Sequence, residues 1–71
     1  MTTVLTNRIK EFRTNHNITQ EELAVQVKVT RKTINTIENG RFVPSVILAI
    51  KVAKYFGVPV EEVFLVSEEF V

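Results

Sequence analysis

Between residues 19 and 40 three helix-boundary signals follow one another closely, and together they describe two short helices joined by a tight turn. Thr19-Gln20-Glu21-Glu22 matches a capping box, in which a Thr hydroxyl and the Glu three places on satisfy each other's free backbone donors. A helix starting there turns Leu23, Ala24 and Val27 inward. Val27-Lys28-Val29 breaks the pattern, and Thr30 offers a second N-cap. The next helix, Arg31 to Asn39, buries Ile34 and Ile37 and stops at Gly40, the residue best suited to a left-handed cap.

The flanks read as helical too. Leu5, Ile9 and Phe12 recur at helical spacing, which predicts an amphipathic helix from Thr6 to about Asn15, ended by Asn15-His16-Asn17. Pro44-Ser45 opens a fourth helix with Leu48, Ala49, Val52 and Phe56 inward, closed by Gly57. A fifth, Val60 to Val66, follows Gly57-Val58-Pro59, and the tail from 67 to 71 takes no assignment. No strand-period pattern accompanies these segments. The expected fold is therefore all-α, a compact five-helix bundle forming a single domain over residues 1–71.

Composition narrows the chemistry. With no Cys and one His, His16, among 71 residues, the chain holds no thiolate zinc site, disulfide or Cys/His nucleophile, so no metal, cofactor or catalytic residue is expected. Gly40 and Gly57 are the only glycines, and no phosphate loop is possible with them. There is no run of about 18 apolar residues and no basic leader before an apolar stretch, which points to a cytoplasmic protein without a membrane span. Charge is uneven: nine Lys and Arg but only four Glu lie at or before Lys54, giving +5, while the last seventeen residues hold four Glu and no base. A polyanion suits one side only.

Arg31 and Lys32 stand in the first turn of the third helix, where the helix dipole disfavours cations. That placement makes sense if the exposed end meets phosphates or guanine edges, which Arg contacts bidentately. Asn35 and Thr36 lie one turn on, with Asn suited to adenine and the Thr methyl to thymine.

The fragments Thr19 to Ala24, Val29 to Ile34 and Ile37 to Arg41, with Pro44-Ser45 following, share one register. The chain resembles the Cro and phage-repressor family of helix-turn-helix regulators over residues 6 to 66, with the helix-turn-helix at 19–40. The resemblance implies double-stranded DNA as partner, with the third helix in the major groove, usually from each half of a dimer. It implies that Gln20 touches a phosphate and braces the third helix, and that Asn39, Arg41 and Ser45 grip further phosphates, with Thr30 completing the DNA-facing set. It also implies an ion pair between Arg13 and Glu38 that fixes the recognition helix. Two positions depart from the pattern: Lys28, where the turn favours Gly or Asn, and Pro59, which has no side-chain acceptor for a cap.

The leading expectation is a sequence-specific repressor acting as a homodimer, with no small-molecule effector. A protein-binding module of an antitoxin or transcriptional adaptor is the alternative, which an exposed apolar helix face would favour. One short final helix cannot turn Phe64, Leu65 and Val66 into the same core, so Phe64, Leu65 and Phe70 are the expected dimer surface.

Overall fold

Four of the helices end in the same way, and that repetition shapes the molecule. The computed structural model describes residues 2–69, ordered β1 (Thr2–Asn7), α1 (Ile9–Asn15), α2 (Gln20–Val27), α3 (Arg31–Glu38), α4 (Val46–Phe56), α5 (Val60–Val63) and β2 (Phe64–Glu69). Asn17, Lys28, Gly40 and Gly57 follow the first four helices with φ of 56°, 61°, 73° and 71°. Each donates its N–H to a carbonyl three residues back, and the next residue donates five back, as Gly40 to Ile37 and Arg41 to Thr36. This is the Schellman closure, which satisfies the last carbonyls and turns the chain sharply. Short helices can then be redirected without long loops.

The starts are equally explicit. The Thr19 hydroxyl accepts from Glu22 N at 3.1 Å while the Glu22 carboxylate accepts from Thr19 N at 2.9 Å, completing the capping box. Thr30 Oγ1 accepts from Thr33 N at 3.2 Å, and Ser45 Oγ from Leu48 N at 3.1 Å. Pro59 begins α5 with no side-chain cap. Ile9, Leu23, Ala24, Val27, Ile34, Ile37, Leu48, Val52, Ala53, Phe56 and Val63 close one core, with Phe12 and Phe64 packed against its rim.

The all-α expectation is overturned by the two ends of the chain. β1 and β2 pair antiparallel from Thr2 opposite Glu69 to Asn7 opposite Phe64, and Arg8 N donating to Val63 O at 2.8 Å continues the ladder into the body. Leu5 is thus a strand residue, α1 starts at Ile9 rather than Thr6, and α5 stops at Val63 rather than Val66. The physical reason is that Thr2-Thr3-Val4-Leu5-Thr6 and Phe64-Leu65-Val66 are rich in β-branched and apolar residues that favour a pleated surface. The resulting ribbon lies mostly in solvent, so no core-facing alternation marks either strand in the sequence.

Asn7 joins ribbon to body. Its Oδ1 accepts from Ile9 N at 3.2 Å, at the first residue of α1, and its Nδ2 donates to Ile37 O at 2.9 Å near the end of α3.

Among the described residues Lys28 is the one long side chain held at positive φ, a conformation costing an L-residue roughly 1–2 kcal/mol that glycine escapes. Lys28→Gly is expected to stabilise the fold by about 1 kcal/mol and raise Tm by about 4–8 °C. A thermal melt in which Tm falls would contradict this account of the turn.

Candidate nucleic-acid interface

The position of α3 is set by polar contacts at three places. At its start, Thr30 caps the helix and its hydroxyl also lies 3.0 Å from Thr33 Oγ1. Near its end, Asn7 and Gly40 N both hold the Ile37 carbonyl. On its flank, Arg13 from α1 donates through Nε to Glu38 Oε2 at 2.8 Å and through Nη2 to Glu38 Oε1 at 3.2 Å. The remaining Arg13 donor, Nη1, reaches Ile18 O at 3.0 Å. The two side chains are 14% and 5% exposed. A planar guanidinium with both faces of its fork engaged fixes orientation as well as distance.

Glu38 also receives Gln20. The Gln20 Nε2 donates to Glu38 Oε1 at 3.1 Å, which aims Gln20 Oε1 toward Asn35, whose Nδ2 lies 3.4 Å away. Asn35 Oδ1 in turn accepts from Asn39 Nδ2 at 2.8 Å. One hydrogen-bonded chain therefore runs Arg13, Glu38, Gln20, Asn35, Asn39 across α1, α2 and α3. Both ends of the Asn35 amide are engaged within the protein. The Thr36 hydroxyl is likewise turned back onto Thr33 O and Lys32 O at 2.9 and 3.0 Å.

The outward edge of α3 is chemically different. Arg31, Lys32, Asn35, Thr36 and Arg41 line an open groove, and Arg31 also borders a second groove with Arg13, Ile18, Thr19, Gln20 and Glu21. Arg31, Lys32 and Arg41 are exposed. Among the described residues, ion pairs form between Arg8 and Glu11 and between Arg13 and Glu38, and neither involves these three cations. No acid occupies the first turn of α3. Three long cations beside one groove, without carboxylate partners, form a surface suited to phosphate oxygens and guanine edges.

Thr30, Asn39 and Ser45 lie outside these groove linings, Thr30 and Ser45 with hydroxyls that cap their helices. Phe64 is half-buried against the core, Leu65 is 40% exposed on β2, and Phe70 lies outside the described residues. Sequence reasoning missed Asn7, whose only signal was an Asn just before the Ile9 turn. It also missed an exposed apolar face on α4. Among the described residues no cluster of three or more His or acidic side chains is placed to hold a metal, and no helix is long and apolar enough to cross a membrane.

A helix-turn-helix family model matches residues 9–63. An uncharacterised HTH-type transcriptional regulator of Methanocaldococcus jannaschii is 46% identical over 63 residues, covering 89% of this chain and 96% of that protein. Among solved structures, the restriction-modification controller protein C.AhdI of Aeromonas hydrophila superposes with a TM-score of 0.73 at 27% identity, over 78% of this chain and 83% of that one. A putative DNA-binding protein of Bacteroides fragilis gives 0.78 at 26% identity, over 86% and 98%. The chain belongs to the Cro/C1-type helix-turn-helix family of DNA-binding transcriptional regulators.

Because Glu38 anchors both Arg13 and Gln20, Glu38→Ala leaves a guanidinium and an amide without their acceptor in a mostly buried place. The expected loss is about 3 kcal/mol of stability, measured by urea unfolding. An unchanged midpoint would show the three side chains to be energetically independent.

Proposed function

We propose that this chain is a non-catalytic, cytoplasmic repressor that occupies a two-fold-symmetric operator as a homodimer and blocks access to it. The observation that carries the reading is the unpaired cationic edge of α3, Arg31 and Lys32 with Arg41 beside them, on a helix whose pose is fixed from three sides. Electrostatic attraction alone gives sequence-independent affinity, so specificity needs a rigidly presented set of donors at base edges. Arg31 is assigned the bidentate base contact and Lys32 a second, less directional one. Gln20, Arg41, Asn39, Ser45 and the amides at the starts of α2 and α4 are assigned to phosphates.

The hydrogen bonds of Asn35 shift its proposed part. Reading adenine requires both ends of its amide, and both are already taken by Gln20 and Asn39. Asn35 is therefore assigned mainly to holding Gln20 in register, while the Thr36 methyl completes the groove-facing surface and Thr30, outside the groove lining, serves to cap α3. Repression follows from position on the promoter: a bound dimer overlapping the polymerase site excludes the enzyme by volume.

Two measurements test this. Binding to a selected duplex should lose affinity steeply with salt: for roughly six neutralised phosphates, log K falls against log salt with a slope of about −5. A slope near zero would end the DNA reading. Arg31→Ala should cost about 1–3 kcal/mol on the selected site and relax the preference at one base pair. Equal loss on every sequence would reassign Arg31 to a phosphate.

A further inference from the structure

Asn is poorly suited to a strand, yet Asn7 ends one. Its place is explained by what its side chain reaches. The amide oxygen accepts from Ile9 N at 3.2 Å while the amide nitrogen donates to Ile37 O at 2.9 Å. Turning the amide over would set nitrogen against N–H and oxygen against carbonyl, so the two partners fix its orientation. An Asp side chain keeps the first contact and loses the second; Ala loses both. The backbone around Asn7 is held as firmly. Asn7 lies opposite Phe64 in the ladder, Arg8 N donates to Val63 O at 2.8 Å, and Ile9 and Val63 are fully buried.

The far partner is the more informative one. Ile37 O also accepts from Gly40 N at 3.0 Å, and Arg41 N donates to Thr36 O at 2.9 Å. These bonds turn the chain out of α3 and set the direction in which Arg41 leaves it. Arg41 lines the open groove with Arg31 and Lys32. One carbonyl thus carries both the turn that aims Arg41 and a side chain from the ribbon.

We propose that Asn7 is a positioning residue for DNA binding, through which closure of the terminal ribbon sets the last turn of α3 and the placement of Arg41. This role rests on the DNA reading of the groove and adds to it a contribution from a residue outside the groove. With the innermost pair of the ribbon closed, Asn7 holds Ile37 O where Gly40 N also meets it. With that pair open, residues 7 and 64 part, the carbonyl keeps its own turn alone, and Arg41 is less narrowly aimed. Such coupling is reciprocal, so a bound duplex favours the closed ribbon by the factor with which the closed ribbon favours the duplex. Arg13 braces the neighbouring Glu38 from α1, and Thr30 caps the start of α3. The influence of Asn7 is therefore confined to the end of the helix, leaving Arg31 and Lys32 as they are.

Duplex binding by single and double substitutions, at a temperature where circular dichroism shows each variant folded, is the test. Asn7→Ala should weaken binding about 10-fold, the scale of one net hydrogen bond. Arg41→Ala should cost about 10-fold in the wild type but about 2-fold or less beside Asn7→Ala, because side chains acting through one another are not additive. Lys32→Ala should cost the same factor in both backgrounds. A purely structural role for Asn7 would leave both pairs additive. Wild-type affinity for Asn7→Ala, or full additivity with Arg41→Ala, would overturn the proposal. Asn7→Asp, which keeps the contact to Ile9, serves if Asn7→Ala does not fold. In the free protein it should shift the amide resonances of Gly40 and Arg41 and leave those of Arg31 and Lys32 in place; unmoved Gly40 and Arg41 would equally overturn it. A wild type that binds no duplex at low salt, with Gly40 and Arg41 shifted by Asn7→Asp, would retain the link from ribbon to α3 and discard the DNA reading.

Discussion

The pairing of Arg13 with Glu38 is the contact on which the presentation of α3 depends. Removing two charges from water is costly, and apolar side chains of similar size often hold a core as well or better. A guanidinium locked onto a carboxylate specifies angle, however, which a Leu–Leu contact does not. Here that angle decides where Arg31 and Lys32 point. The same carboxylate orients Gln20, so the entry to α2 and the pose of α3 are set by one residue. The contrast with Arg8 and Glu11 is instructive. In that exposed pair the hydrogen bond from Arg8, and then its charge, hold the Glu11 carboxyl below its usual range, and Glu11 in the same way raises the Arg8 guanidinium. Such surface pairs add little to stability.

A core of eleven side chains among the described residues, all aliphatic except Phe56, leaves a chain of this size near the margin of stability. Polar groups placed at helix ends compensate. Thr19, Thr30 and Ser45 satisfy donors at the starts of α2, α3 and α4, and four Schellman turns satisfy acceptors at the ends of α1 to α4. No buried side-chain nitrogen or oxygen among the described residues lacks a partner. The surfaces are left free for different tasks, with cations along the groove of α3 and apolar groups along α4.

What could be read from the sequence follows the range of the interactions involved. The boundaries of α2, α3 and α4 rest on contacts three to five residues long, and Thr19, Thr30, Gly40, Ser45 and Gly57 announce them. Lys28 was legible as a departure, and its left-handed backbone is the consequence. Strand β1 was not legible, because Thr3 finds its partner Glu68 across almost the whole chain, with the hydroxyl donating at 2.9 Å. Leu5 fitted a helical period with Ile9 and Phe12 by coincidence of spacing. The candidate cations at 31 and 32 stood out because their charge conflicts with the local helix dipole, whereas Arg41 came from the family resemblance alone. Asn35, by contrast, was read from its type alone, and its engagement with Gln20 and Asn39 appears only when the helices are packed.

The ribbon that joins the ends has a consequence for the order of events in folding. Its ladder runs from Asn7 opposite Phe64 out to Thr2 opposite Glu69, so it closes a loop containing every helix. Loop closure of that span is slow compared with forming a capped helix turn. On that ground the helices are expected to collect first, Val63 and Asn7 then to bring the two strands together, and the ladder to zip outward from that junction. In the reverse direction the outermost pairs separate first, since little core holds them. Amide hydrogens of the ribbon therefore exchange as a pair, Thr2 with Glu69 before Thr6 with Leu65, while those of α2 to α4 wait for the whole body to open.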